Sequence, residues 1–135
     1  MKENFTVNPL VSIIINCLNG ERYLRECLDS IINQSYINWE IIFWDNGSSD
    51  RSSKIFKSYN DKRFNYFYSN DNDTLYEARN KAISKAKGKY ISFLDVDDTW
   101  SNDKLMQQVK FLENNKNYQI VYSNYYILNE LKKKK

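Results

Sequence analysis

The chain has 135 residues, 41% hydrophobic and 16% aromatic, which suits one compact domain and leaves little room for a second. Lys and Arg number 20 against 17 Asp and Glu, but Lys132 to Lys135 supply four of those positive charges. The body therefore carries about 3 − 4 = −1 and offers no basic stripe for nucleic acid. Two cysteines and no histidine argue against a disulfide framework, a Cys/His zinc site and any triad built on histidine.

The opening "MKENFTVNPL" has no apolar core of a signal peptide, and no apolar run approaches the roughly 20 residues of a membrane span. A soluble chain in a reducing cytosol is expected. The inner face of the membrane is the alternative place, should Lys132–Lys135 touch anionic lipid.

Residues 1–9 read as an N-terminal extension, 10–128 as one domain and 129–135 as a Lys-rich tail. The β-branched run "LVSIII", Leu10 to Ile15, predicts a strand buried on both faces. From Glu21 to Asn33, Tyr23, Leu24, Cys27, Leu28, Ile31 and Ile32 recur at three- and four-residue spacing, the stripe of an amphipathic helix. Cys17 and Cys27 read as small core residues.

A second strand, Trp39 to Trp44, runs into the turn "DNGSSD". Ser49 or Asp50 is then placed to cap a helix carrying Ile55 and Phe56. "RFNYFYS" alternates like a third strand. A helix follows over about Leu75 to Lys87, with Gly88 placed to stop it. "KYISFLD" predicts a fourth strand, Asp103 to Asn114 another helix and "YQIVYSN" a fifth strand.

Strands alternating with helices call for crossover connections, hence a mainly parallel sheet with helices on both faces. Ligands of such sheets bind beyond the carboxyl ends of the strands. "NCLNGE", "DNGSSD" and "DVDD" follow the first, second and fourth strands, so three polar clusters far apart in sequence are expected at one edge.

In "DVDD" the alternation of a strand lets Asp95 and Asp97 face one way while Val96 turns into the protein. Two such carboxylates repel unless a cation or a donor-rich ligand lies between them, and a hard cation such as Mg²⁺ or Mn²⁺ meets that need. The same aspartates could instead precede a helix capped by Asp98 or Ser101. "DNGSSD" is equally open: Asp45 and Asn46 could read a ligand edge, or Gly47 could simply allow a tight turn. Arg79, in "EARNKA", sits on a helix with an apolar face through Leu75, Ala78, Ala82 and Ile83. It could clamp a phosphate, hold an aspartate loop, or make a surface ion pair.

Taken in order, "IIINCLNGERYL", "IIFWDNGSSD", "EARNKAISKAKGKYI" and "SFLDVDDTW" resemble the motifs of the family 2 glycosyltransferases of the GT-A fold, and "CLDSIINQSY" resembles the family's first helix and its exit. The resemblance covers most of Val11 to Leu112. It implies a Rossmann-like α/β domain that here stops after about the fifth strand. It also implies a nucleotide-diphospho-sugar donor, with UDP-sugars favoured, and a glycan or lipid-linked acceptor in bacterial surface-polysaccharide synthesis.

The implied donor-binding residues are Asn16, Leu18, Asn19, Glu21, Asp45, Asn46, Arg79, Asp95, Val96 and Asp97. The base would lie near the end of the first strand, Asp95 near the ribose, and Asp97 with Asp95 on a divalent cation, Mg²⁺ or Mn²⁺. Asn16 stands where the family commonly has Pro, Leu18 where it has an aromatic residue, and Asn46 where it has a second Asp. Nothing after Asn124 resembles the family's acceptor-binding half, which carries the general base, so no catalytic residue is assigned here. The expected chain is a donor-binding half. The rival is a truncated non-catalytic nucleotide-sugar-binding or assembly module, with a homo-oligomer as one form of it.

Overall fold

The computed structural model describes residues 8–71 and 73–128; most of the N-terminal extension and the whole Lys-rich tail lie outside them. The elements in chain order are β1 (Val11–Cys17), α1 (Leu24–Ile32), β2 (Trp39–Asp45), α2 (Ser52–Lys57), β3 (Phe64–Tyr68), α3 (Leu75–Ile83), β4 (Tyr90–Phe93) and α4 (Lys104–Asn114). The four strands form one sheet in the order β3-β2-β1-β4, every neighbouring pair parallel.

The apolar run of β1 is explained by its central position, because alternate residues meet different layers. Val11, Ile13, Ile15 and Cys17 join Ile41 and Phe43 in a core closed by α1, Phe56 of α2, and Leu105 and Val109 of α4. Ile14, Ile42 and Trp44 face the other way, against Ala78 and Ala82 of α3. The small alanines let α3 lie close to the sheet, and Leu75, read from sequence as part of the same face, remains half exposed.

Several local expectations change. The α2 helix begins after Arg51 without a side-chain cap, and Asp50 instead accepts from the Ser52 N–H two residues on, at 2.9 Å. Likewise α4 follows Asp103, not Asp98 or Ser101, and has no side-chain cap. The α3 helix ends at Ile83, well before Gly88. Gly88 serves a different purpose: a Cβ there would lie 2.6 Å from the Ser12 nitrogen, so only glycine lets this loop pass over β1. The Gly88 N–H then donates to Ser12 Oγ (2.8 Å), whose hydroxyl donates to the buried Glu40 (2.7 Å).

The fifth strand does not form. Residues 118–128 make no strand, with Ile120 and Tyr122 81% and 90% exposed. Their β-rich composition has no partner to act on, because a strand exists only through the ladder it shares. No helix among the described residues is long and apolar enough to cross a membrane.

Candidate functional site

Parallel register brings the ends of β1 and β2 level, Cys17 opposite Asp45. Asp45 is fully buried. Its Oδ1 accepts from the Ser48 N–H (2.8 Å) and its Oδ2 from the Tyr66 hydroxyl (2.6 Å). Burial, reinforced by that bond to Asp45, pushes the Tyr66 hydroxyl up to about 12, so it stays a donor. Gly47, at φ 86°, closes the turn. Asp45 therefore organises the loop from within.

The β1–α1 loop is tied to the β2–α2 loop by further side-chain-to-backbone bonds. Asn19, in the left-handed region at φ 55°, accepts from the Ser49 N–H at 2.9 Å and donates its own N–H to Ser48 Oγ at 3.0 Å. Glu21 Oε2 accepts from the Arg51 N–H (2.7 Å), and the Glu21 N–H donates to Asp50 Oδ2 (2.9 Å). Gly20 donates to the buried Ser52 hydroxyl (2.9 Å) and packs so tightly under Val96 that an added Cβ would lie 2.6 Å from it. Asn19, Glu21 and Val96 thus build the walls that carry neighbouring groups. Burial raises both thiols, Cys27 to about 12, which leaves neither poised as a nucleophile.

A cleft of about 190 Å³ opens between the end of β1 and the start of α3, lined by Asn16, Leu18, Asn46, Asp73, Leu75 and Ala78 among others. The Asn46 N–H donates to the Cys17 carbonyl and its side-chain Nδ2 to the Asp73 carbonyl, both at 2.8 Å. That fixes the amide, leaving Oδ1 as a buried acceptor with no protein partner, and Asn16 Nδ2 is a buried donor with none. A native fold rarely leaves such groups unmatched, and both asparagines line this cleft. Leu18, 60% exposed, lies at the cleft as an apolar surface. A larger depression, about 260 Å³, lies between α1 and α2 over Ile55 and includes none of the aspartates that follow β4.

The third cluster leaves β4, where the Leu94 N–H still bonds the Ile14 carbonyl at 3.1 Å and the Asp98 N–H turns back to the Asp95 carbonyl at 3.0 Å. Asp95 and Asp97 are exposed and Val96 between them is partly buried against the core, but the cause is a turn and not the strand alternation expected from sequence, because β4 ends at Phe93. Arg79 reaches across from α3: its Nη2 lies 2.8 Å from Asp95 Oδ1 and its guanidinium 5.7 Å from the centre of the Phe93 ring. Burial first, then the negative charge of Asp97 and Asp95, raises the Asp98 carboxyl above the usual carboxylate range.

Among the described residues no group of three His, Cys, Asp or Glu side chains could hold a metal by itself. Mg²⁺ and Mn²⁺ do not require one. They take oxygen ligands, keep several waters and use one or two carboxylates beside phosphate oxygens. The two exposed carboxylates Asp95 and Asp97 fit that chemistry.

The sequence did not single out Asp73 or Tyr66. Asp73 acts through its backbone carbonyl, which leaves no residue signature, and Tyr66 becomes part of the site only by cross-strand neighbourhood. The start of α3 was legible: Thr74 and Glu77 form a capping box, the Thr-x-x-Glu pattern before an apolar face.

This arrangement has counterparts in known proteins. Over 120 residues the chain is 35% identical to the Escherichia coli UDP-Glc:alpha-D-GlcNAc-diphosphoundecaprenol beta-1,3-glucosyltransferase WfgD, matching 89% of this chain and 47% of that protein. It superposes on residues 1–349 of S. aureus TarS in complex with UDP-GlcNAc with a TM-score of 0.72 at 25% identity, covering 77% of this chain and 31% of TarS 1–349. The mannosyltransferase PcManGT of Pyrobaculum calidifontis, in complex with GDP-Man and Mn²⁺, gives 0.73 at 25% identity, over 79% of this chain and 33% of its own. The chain thus spans less than half the length of these relatives. The profile of glycosyl transferase family 2 matches residues 12–135, and with the four-stranded parallel sheet and GT-A neighbours this shows that the chain belongs to that family.

Proposed function

We propose that this chain is the donor-binding part of an inverting glycosyltransferase. The reaction transfers a sugar from a nucleotide-diphospho-sugar to an acceptor hydroxyl, in bacterial surface-polysaccharide synthesis. The observation that carries this is the convergence, at one sheet edge, of a cleft holding an unmatched donor and acceptor with the exposed Asp95–Asp97 pair. Those two features match the two ends of a nucleoside diphosphate. WfgD, named for a UDP-sugar donor and a lipid-diphosphate acceptor, supports the substrate class.

Asn46 Oδ1 would accept an N–H of the base and Asn16 Nδ2 would donate to a neighbouring carbonyl. Uracil offers such a ring N–H beside a carbonyl, as thymine and guanine do, and the UDP-sugar for which WfgD is named favours uracil among them, while Leu18 offers apolar cover without stacking. Arg79 holds Asp95 in position to accept from a ribose hydroxyl. Asp97, with Asp95, would hold a Mg²⁺ or Mn²⁺ ion. When bound, that ion supplies Lewis-acid stabilisation of the charge developing on the diphosphate leaving group. Inversion requires a general base on the acceptor side, and no residue described here is assigned to it.

The test is calorimetric titration of UDP, GDP and dTDP with Mn²⁺ and then with excess chelator. The expected outcome is UDP binding that depends on the metal and weakens at least ~10-fold, or about 1.4 kcal/mol, in Asp97→Asn, with the melting temperature unchanged. Equal metal-dependent affinity in both proteins removes Asp97 from the site; absence of binding to all three nucleotides overturns the donor-site reading.

A further inference from the structure

The amide of Asn46 has two unlike ends, and its surroundings decide which one is left for a ligand. The Asp73 carbonyl can only accept, so it takes Nδ2 at 2.8 Å and leaves Oδ1 without a partner among the described residues. A flipped amide would set two oxygens against each other.

No ladder holds that carbonyl in place, because Asp73 lies in the loop between β3 and α3. The Asp73 side chain does so instead, anchored at both carboxylate oxygens. Oδ1 accepts from Lys81 Nζ at 2.6 Å, and Oδ2 accepts from the Ser69 hydroxyl at 3.1 Å. The side chain is only 6% exposed, and the Lys81 bond, ahead of that from Ser69, holds its carboxyl below the ordinary carboxylate value. Lys81 stands in the last turn of α3 and reaches back about two turns, past the Thr74 cap. Ser69 follows β3, is buried, and its N–H bonds the Asp45 carbonyl at 2.9 Å. Asp73 is thereby tied to a helix on one side and to the sheet on the other.

Lys81 is the member that makes this arrangement possible. Ser69 Oγ also lies 3.2 Å from Asp71 Oδ2, and a hydroxyl has a single proton to give. Two carboxylates that meet at one hydroxyl repel unless a cation joins them. Lys81 Nζ joins them, at 3.2 Å from Asp71 and 2.6 Å from Asp73. With Lys81 and Asp71 both well exposed, the cluster adds little stability. Its consequence is geometric: it fixes where the Asp73 backbone lies.

We infer that Lys81 is a positioning residue that sets base specificity: through Asp73 it pins the Asn46 amide with Oδ1 as the free acceptor. The site then selects a base that presents a ring N–H and rejects one that presents a lone pair there. This rests on the donor-site reading above. Uracil and cytosine differ at that position, since N3 carries a hydrogen in uracil and a lone pair in cytosine, while both keep the O2 carbonyl. With the amide pinned, cytosine meets Oδ1 lone pair to lone pair. With the pin removed, the amide can turn and Nδ2 can donate to cytosine N3.

Calorimetric titration of UDP and CDP with Mn²⁺, on the full 135-residue chain, tests this. Wild type is expected to bind UDP at least ~10-fold more tightly than CDP, the scale of one buried hydrogen bond exchanged for an unsatisfied group. In Lys81→Met, CDP affinity is expected to rise while UDP affinity falls, bringing the two within about 3-fold as both amide orientations become populated. Loosened structure or lost positive charge does not produce a gain for CDP, because each weakens both diphosphates alike. Lys81→Arg is expected to keep the wild-type ratio, and Asp73→Asn to lower it as Lys81→Met does, with melting temperatures unchanged. The nucleotide-free protein supplies a second readout. The side-chain N–H resonances of Asn46 are expected to exchange slowly in wild type and Lys81→Arg, and fast in Lys81→Met. A UDP-to-CDP ratio equal in wild type and Lys81→Met, or an Asn46 amide equally protected in both, overturns the inference and leaves the donor-site reading standing. Absence of metal-dependent UDP binding in wild type overturns that reading, and this inference with it.

Discussion

The centre of the sheet and its β4 edge differ in how many constraints each residue carries. At β1–β2, seven-residue ladders are buried on both faces, and the loops that follow are cross-tied by Asn19, Glu21, Asp50 and Ser52 through backbone bonds. At β4 the ladder is four residues long with alternate side chains half exposed, and the chain beyond α4 makes few internal contacts. The difference teaches where this molecule is rigid. The loops that follow β1 and β2 are held from below by a buried core, whereas β4 and the chain after α4 leave apolar side chains exposed.

The sharpest way to break that contrast is to remove a core residue from the central strands. Phe43, fully buried and stacked on Phe56 at 4.3 Å, is expected to lose about 3–5 kcal/mol on change to Ala. Tyr122→Ala, at a side chain 90% exposed, is expected to stay within about 0.5 kcal/mol. Denaturant unfolding measures both, and similar losses would erase the distinction. Next in size is Asp45→Ala, which strands the Tyr66 hydroxyl and the Ser48 N–H inside the loop base. At ~1–3 kcal/mol for each buried donor left unsatisfied, a loss of about 3 kcal/mol is expected, accompanied by weakened nucleotide binding. Retained binding with lowered stability would separate the scaffold from the cleft.

The smallest effect belongs to the β4 side. Glu113 accepts from Lys116 and Lys89, each at 2.5 Å, and from the Tyr90 hydroxyl at 2.6 Å; these groups, Lys116 first, hold its carboxyl down at about 2. A folded-state value below the ordinary 4.5 means that the unfolded chain binds more protons between the two. The stabilisation is present above pH 4.5 and is lost as the pH falls towards 2. Melting curves of Glu113→Gln are expected to be flatter than wild type over that window and parallel to it above pH 5. Parallel curves throughout would remove Glu113 from the acid response.

Periodicity alone made much of the fold legible. The run Leu10 to Ile15 and the stripe from Leu24 to Ile32 placed β1 and α1, because burial on two faces and on one face leave different patterns in the chain. The aspartates after β4 and the "DNGSSD" turn were legible as a site because polar residues immediately beyond buried strands must gather at one edge. Capping was less legible. Asp50 and Ser101 have the right side chains for caps, but the Glu21 N–H also engages Asp50, and neither α2 nor α4 has a side-chain cap.

The sequence by itself determined that strands and helices alternate, that three polar clusters follow three strands, and that no histidine chemistry is available. Local composition and spacing suffice for that, since they act over a few residues. Only the tertiary structure decided that Asp45 is consumed inside its loop while Asn46 Oδ1 and Asn16 Nδ2, on two residues that line a cleft, stay buried and unmatched. It also decided that Arg79 settles on Asp95, and that "YQIVYSN" stays unpaired. Each of these depends on which distant group arrives within hydrogen-bonding reach. A side chain's own chemistry states what it can accept or donate, and the fold alone supplies the neighbour that takes it.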